Sequence, residues 1–346
     1  MLGAWFGGKK PDFKAFLRPL AVQLNKLRAG VNMNTPIGEI PISFSTLTMT
    51  ADNQAKEAVV NYQSTVCGIC QQVPEFVENA VGLANVPTFP FRQQPAPLRT
   101  RHNMVALGQQ AVQQQEPVNG LKGGTPLLWI NNLDPVLPID YQHNVCLRVM
   151  AKLLSLWFGE AGAGKEFSRK NHVDAFDKLL KDTRPPSFIT RPPRPYTKYI
   201  KYWKAVEYRN FLLYYGPIVL RTLLPDDLFR HFLLLSGGIR IFLGPSISIA
   251  ESARGQEMLN LFVKQFEDLY DGRRYISKTV HSLVHVELCV LKTGPLWATS
   301  CFPFESTYHF LVKMIHGTRF VLHQVRSSFL SEKQNKTKQN KLTVKQ

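Results

Sequence analysis

Apolar residues recur close to helical spacing from Phe13 to Leu27, at Phe13, Phe16, Leu17, Leu20, Val22, Leu24 and Leu27, with Pro11 placed as a first-turn residue. The rule changes from Ile37 to Thr50, where Ile-Pro-Ile-Ser-Phe-Ser-Thr-Leu-Thr-Met-Thr alternates apolar with hydroxyl side chains. That period of two predicts a strand ending at Ala51-Asp52, and a helix followed by a strand suits an α/β layer. From Asn61 to Asn132 the chain is rich in Gln, Pro, Asn and Gly with little periodicity, which predicts a long irregular segment. Beyond Asp134 helical stripes dominate: His143–Phe158, Val173–Leu180, Tyr199–Leu224, Leu228–Leu243 and Glu251–Tyr270. Arg184–Pro195 interrupts them with five prolines and three arginines, an extended basic linker. Val280–Leu291 fits helix or strand, Phe304–Ile315 fits helix, and Ser331–Gln346 is a lysine-rich tail with nothing to pack, expected to be disordered.

The chain has 346 residues, enough for one large domain or two ordinary ones, and its 44% hydrophobic content with 19% charged residues is globular. Lysine and arginine outnumber acids 42 to 25, a formal charge of +17 that favours nucleic acid or an anionic surface as partner. Five cysteines, an odd count with one close pair, point to a reducing compartment rather than a disulfide framework. The apolar runs Phe211–Leu224 and Phe232–Leu243 are broken by Gly216, Pro217, Arg221 and Arg240. Neither reaches the roughly 20 residues that cross a bilayer, so no membrane partner is expected.

Cys67-Gly-Ile-Cys70 can present two thiolates to one zinc ion, and equally reads as a buried or redox pair. His281 and His285 are four apart, so on a helix their imidazoles share a face and would close a Cys2His2 site; a structural or solvated pair is the alternative. Asp52 and Glu305 are the acids nominated for metal-assisted phosphoryl chemistry, with magnesium or manganese. A turn residue at a strand end and a first-turn helix acid are the plainer readings of the two. Gly159-Glu-Ala-Gly-Ala-Gly-Lys165 has phosphate-loop spacing, but Glu166 stands where Ser or Thr belongs and no strand precedes it, so it reads as a surface loop. Arg184, Arg191, Arg194, Lys198, Lys201 and Lys204 are interleaved with Tyr196, Tyr199, Tyr202 and Trp203. That pattern suits DNA backbone neutralisation with stacking, or a solvated face with its rings turned inward.

Taken in order, Asp52, Cys67-x-x-Cys70, a helical insert, His281-x-x-x-His285 and Glu305 resemble the animal CACTA/EnSpm DNA transposases. Collinear strings extend the resemblance over residues 1 to about 325: Leu2–Pro11, Gly120–Leu127, Asp140-Tyr-Gln-His143, Leu154–Phe158, Arg184–Arg194, Tyr202–Arg209, His281–His285 and Gly294–Ala298. The resemblance implies an incomplete RNase H-like core interrupted by a large, mostly helical insertion, with a split zinc site. It implies residues 1–60 and 279–326 as core, the first carrying helix and Asp-bearing strand and the second HxxxH and Glu-bearing helix. Residues 61–132 form the CxxC segment, 133–278 the insertion and 327–346 the tail. Asp140 and His143 become accessory residues of unassigned role.

In that family a first catalytic aspartate lies upstream of the segment matched by Leu2. The resemblance therefore implies an incomplete carboxylate triad and no strand cleavage, since two metal ions need all three carboxylates. Unpaired sheet edges in such a core invite association, so a homo-oligomer is one expectation. The function expected is a transposon-derived, catalytically inactive nuclear protein with residual DNA affinity. The alternatives are an interaction module built on the insert, in nucleus or cytoplasm, with Phe211–Tyr215 either its surface or, the reading favoured, part of the insert's own core, or a gene-prediction product without a stable fold.

Overall fold

The computed structural model describes residues 10–78, 84–189, 191–317, 319–321 and 323–328. Most of the string Leu2–Pro11 and all of the lysine-rich tail from Ser331 lie outside these residues. The chain is mixed α/β but mostly helical, with 57% helix against 7% strand. Its named strands form two two-stranded hairpins, and no larger sheet of the RNase H kind occurs among the described residues. Two compact units are present: residues 12–300, and the terminal segments 1–11 with 301–346.

The larger unit opens with α1 (Phe13–Ala29), where the Asp12 carboxylate accepts the Lys14 amide as N-cap and Gly30, at φ 110°, ends the helix. Strand β1 (Val31–Thr35) pairs antiparallel with β2 (Gly38–Ile42), Val31 opposite Ile42 and Thr35 opposite Gly38. The predicted strand to Thr50 therefore stops eight residues early. Pro41 brings no amide to the ladder, and residues 43–50 meet no further strand. They are pinned point by point instead: the Phe44 amide donates to Leu27 O, the Asp134 amide to Leu47 O, and the Thr50 hydroxyl to Thr299 O.

Segment 61–132 is more ordered than its composition predicts. It holds the hairpin β3 (Glu75–Val77) with β4 (Val86–Thr88), and the 14-residue helix α3 (Arg101–Gln114). Thr100 and Asn103 cap α3 reciprocally. Only Met104, Gly108 and Ala111 are buried on it, so no apolar stripe betrayed the helix. Gly108 faces the Gly123–Gly124 backbone, where an added Cβ would sit about 3.0 Å from Gly123 O.

The predicted helical stretch from 133 to 278 is helical. A π-helix, Tyr141–Met150, runs into α4 (Ala151–Phe158), followed by α5 (Val173–Asp182) and α6 (Tyr196–Tyr199). Helix α7 (Ala205–Asn210) continues through a π-turn, Phe211–Tyr215, into α8 (Gly216–Val219). The long helices α9 (Asp226–Phe242) and α10 (Ile249–Leu269) pack together. Trp157, Phe176, Phe211, Phe232, Phe262, Phe266 and Tyr270 are fully buried among these helices. Burial of such rings dominates core stability. Phe211, Leu212, Leu213 and Tyr215 belong to that core, which removes them as a docking surface. The loop Gly159–Lys165 lies on the surface, its lysine paired with Asp271. Val280–Leu291 resolves as helix: α11 (Lys278–His281), a 3-10 turn Ser282–His285, and α12 (Val286–Thr293). In the smaller unit α13 (Phe302–Lys313) carries Pro303 in its first turn, as a helix start favours. No described helix is long and apolar enough to cross a membrane.

Candidate metal centre

The first two ligands come from the loop after α2 (Asn53–Val60). Asn61 ends that helix in the left-handed conformation, and the Gln63 amide donates to Gly120 O while the Lys122 amide donates to Asn61 O. Gly120, at φ 77°, must be glycine on two counts, because a Cβ there would lie 2.4 Å from the Val66 side chain. The chain then turns through Cys67-Gly-Ile-Cys70, and the Ile69 amide donates to Cys67 Sγ at 3.4 Å. The second pair comes from α11 and the turn after it. Lys278, ion-paired with Glu57 of α2, ties that segment to the first. Asn144, next to His143 on the π-helix, donates to Thr279 O and to the Ser282 hydroxyl.

These supports bring Cys67, Cys70, His281 and His285 into one buried cluster, one ligand atom from each within 4.8 Å of every other. His281 Nε2 lies 3.3 Å from Cys70 Sγ and 3.4 Å from His285 Nε2. Tetrahedral zinc, with Zn–N about 2.0–2.1 Å and Zn–S about 2.3 Å, spaces its ligand atoms roughly 3.3–3.8 Å apart. Two imidazole nitrogens turned on each other and on a sulfur are a poor hydrogen-bonding arrangement but a good coordination shell. The set therefore fits a metal such as zinc, and its closed four-ligand composition is that of a structural rather than a catalytic site. The hydrogen bond from Cys70, aided by His281 and His285, holds the Cys67 thiol well below its ordinary range against burial. The same bond and burial push Cys70 up. The buried ring of Phe89 stacks on His281 at 5.1 Å, and its amide donates to Ile276 O.

The other nominated residues lie elsewhere. Asp52 is the N-cap of α2, its carboxylate accepting the Ala55 amide at 2.6 Å, rather than the end of a strand. Among the described residues of the larger unit, no group of three metal-ligating side chains includes it. Glu305 is an exposed first-turn acid of α13 in the smaller unit. Asp140 caps the π-helix, Oδ1 accepting the Gln142 amide and Oδ2 the His143 amide, and the His143 ring Nδ1 sits 2.5 Å from that same Oδ2. Arg194 forks onto the buried carboxylate of Glu207 at 2.6 and 2.7 Å, and Arg191 approaches the same group at 4.0 Å. Arg194 is thus a structural clamp. Arg184, Lys198, Lys201 and Lys204 are exposed, as is the ring of Tyr202, while Tyr196 and Trp203 are turned inward.

The sequence named the four residues that cluster but not Arg99 and Phe89, which stand in a Pro- and Gln-rich stretch with no periodic or motif signal. A scan against protein-family models and a search of curated proteins match nothing to this chain.

Proposed function

We propose that the chain is a transposase-derived protein of the CACTA/EnSpm kind, stapled by one structural zinc ion, which binds duplex DNA without cutting it. The observation that carries this reading is the cluster itself. Two ligand pairs, Cys70 and His281 being 211 positions apart, converge on one buried point, in the order that a split zinc site requires. Helix α1, the β1–β2 hairpin and α2 would then be the remnant of an RNase H-like core. Asp52 serves as a helix cap, which supports a reading without magnesium- or manganese-dependent strand cleavage. The DNA-facing surface is assigned to Arg184, Lys198, Lys201, Lys204 and the exposed ring of Tyr202, leaving Arg191 and Arg194 to hold Glu207. A nuclear location belongs to the same reading, and self-association is its second expected partnership.

Two measurements on the purified full chain test it. Elemental analysis should give about one zinc per chain, lost in Cys67→Ser. Fluorescence anisotropy with a labelled duplex should show affinity falling steeply with salt, and Lys198→Gln/Lys201→Gln/Lys204→Gln should flatten the log–log slope by about three. A protein that purifies and refolds without zinc, or that ignores DNA at low salt, would sink the proposal. So would magnesium-dependent nicking that disappears in Asp52→Ala.

A further inference from the structure

Arg99 is 2% exposed, yet no described carboxylate forms an ion pair with it. Its Nε donates to the carbonyl of Cys67 at 2.9 Å and one Nη donates to that of Asn119 at 2.9 Å. Its own amide donates to Ile69 O, inside the CxxC loop, at 2.8 Å. The remaining Nη is buried without a hydrogen-bond partner. A buried cation needs an opposite charge nearby. Its bonds to Cys67 O and, through its own amide, to Ile69 O set the guanidinium against the loop that carries both sulfurs.

We infer that Arg99 is the positioning residue of the metal centre, clamping the Cys67–Cys70 loop by its backbone and offsetting the negative charge its sulfurs retain when they hold zinc. The inference rests on the zinc occupancy proposed above. Two thiolates and two neutral imidazoles leave a zinc(II) centre with no net charge, but its electron density remains concentrated on sulfur. An adjacent guanidinium draws on that density without competing for the metal. Arginine suits the place because a planar fork spans two carbonyls, whereas lysine brings only a point charge. Partners of this kind outside the ligand shell typically change metal affinity by about 10- to 100-fold.

The experiment compares the full chain with R99M and R99K, using zinc(II) in competition with a chromophoric chelator and cobalt(II) as a spectroscopic probe. In R99M zinc should bind about 10- to 100-fold more weakly, and the sulfur-to-cobalt charge-transfer band should move to longer wavelength because the sulfurs become more electron-rich. R99K should keep the band in place while recovering only part of the affinity. If R99M does not fold, R99Q keeps a donor for the Cys67 carbonyl, drops the charge and gives the same reading. Unchanged affinity and band in the uncharged variants overturn the inference. An equal loss of affinity in R99K and R99M with an unmoved band overturns it too, leaving Arg99 as mere packing. If the unmutated chain itself takes up neither metal, the zinc reading falls and this inference with it.

Discussion

His231 shows how one buried side chain sets a pH response. It lies fully buried on α9, stacked on Phe262 at 4.2 Å, with Nε2 2.8 Å from Phe262 O and Nδ1 3.3 Å from the Tyr270 hydroxyl. The neutral ring donates through Nε2 and accepts from Tyr270, whose oxygen in turn accepts from Trp157 Nε1 at 3.2 Å. Every polar atom is satisfied without a proton on Nδ1. Burial pushes the imidazole from 6.5 down to about 4, against the Phe262 carbonyl and the charge of Asp227, which favour the cation. The unfolded chain therefore takes up a proton below pH 6.5 that the folded chain refuses until about pH 4. Stability is full above that window and falls through it by roughly 3 kcal/mol. Urea midpoints at pH 7 and pH 4.5 should separate further in the chain than in His231→Gln, both in a Cys67→Ser background so that metal release on acidification drops out. Equal separations would remove His231 as the cause. The four residues of the Cys/His cluster were legible because their residue types are themselves the chemistry. Arg99 and His231 were not, because a buried cation or imidazole is defined by neighbours distant in sequence.

Adjacent glycines in α9 make opposite predictions at the level of the element. A Cβ on Gly238 would lie 2.9 Å from two carbons of Leu259 and 3.1 Å from the backbone oxygen of Gly255, in the α9–α10 contact. A Cβ on Gly237 meets only the flexible end of Met258. Replacing helical Gly by Ala gains about 1 kcal/mol of propensity, while overpacking a core contact costs about 1–3 kcal/mol. Gly237→Ala should therefore be neutral or stabilising by up to about 1 kcal/mol, and Gly238→Ala destabilising by about 1 kcal/mol, both read from denaturant midpoints at constant slope. Long helices such as α9 and α10 were visible as apolar stripes. Helix α3 was not, since its packing face is made of one methionine and small residues, and the strand expected through Thr50 lacked the partner that alternation alone cannot supply.

For the molecule as a whole, metal removal is the decisive perturbation. On the zinc reading proposed above, the ion would join the loop after α2 to the segment after α10, so that its binding free energy would be folding free energy. At a thousandfold excess over its dissociation constant it adds roughly 4 kcal/mol, on the order of 10 °C in the melting midpoint of a unit this size. A strong chelator should lower the midpoint of the chain by that much and leave Cys67→Ser unmoved; identical responses would show that the cluster carries no load. The spacing of the ligands also sets a timetable. During synthesis at about 5–20 residues per second, the thiols leave the ribosome some 10–40 seconds before the imidazoles that complete their shell. Throughout that interval the two sulfurs wait without their partners, and under the proposed zinc reading a filled site would mark a unit made nearly to its end.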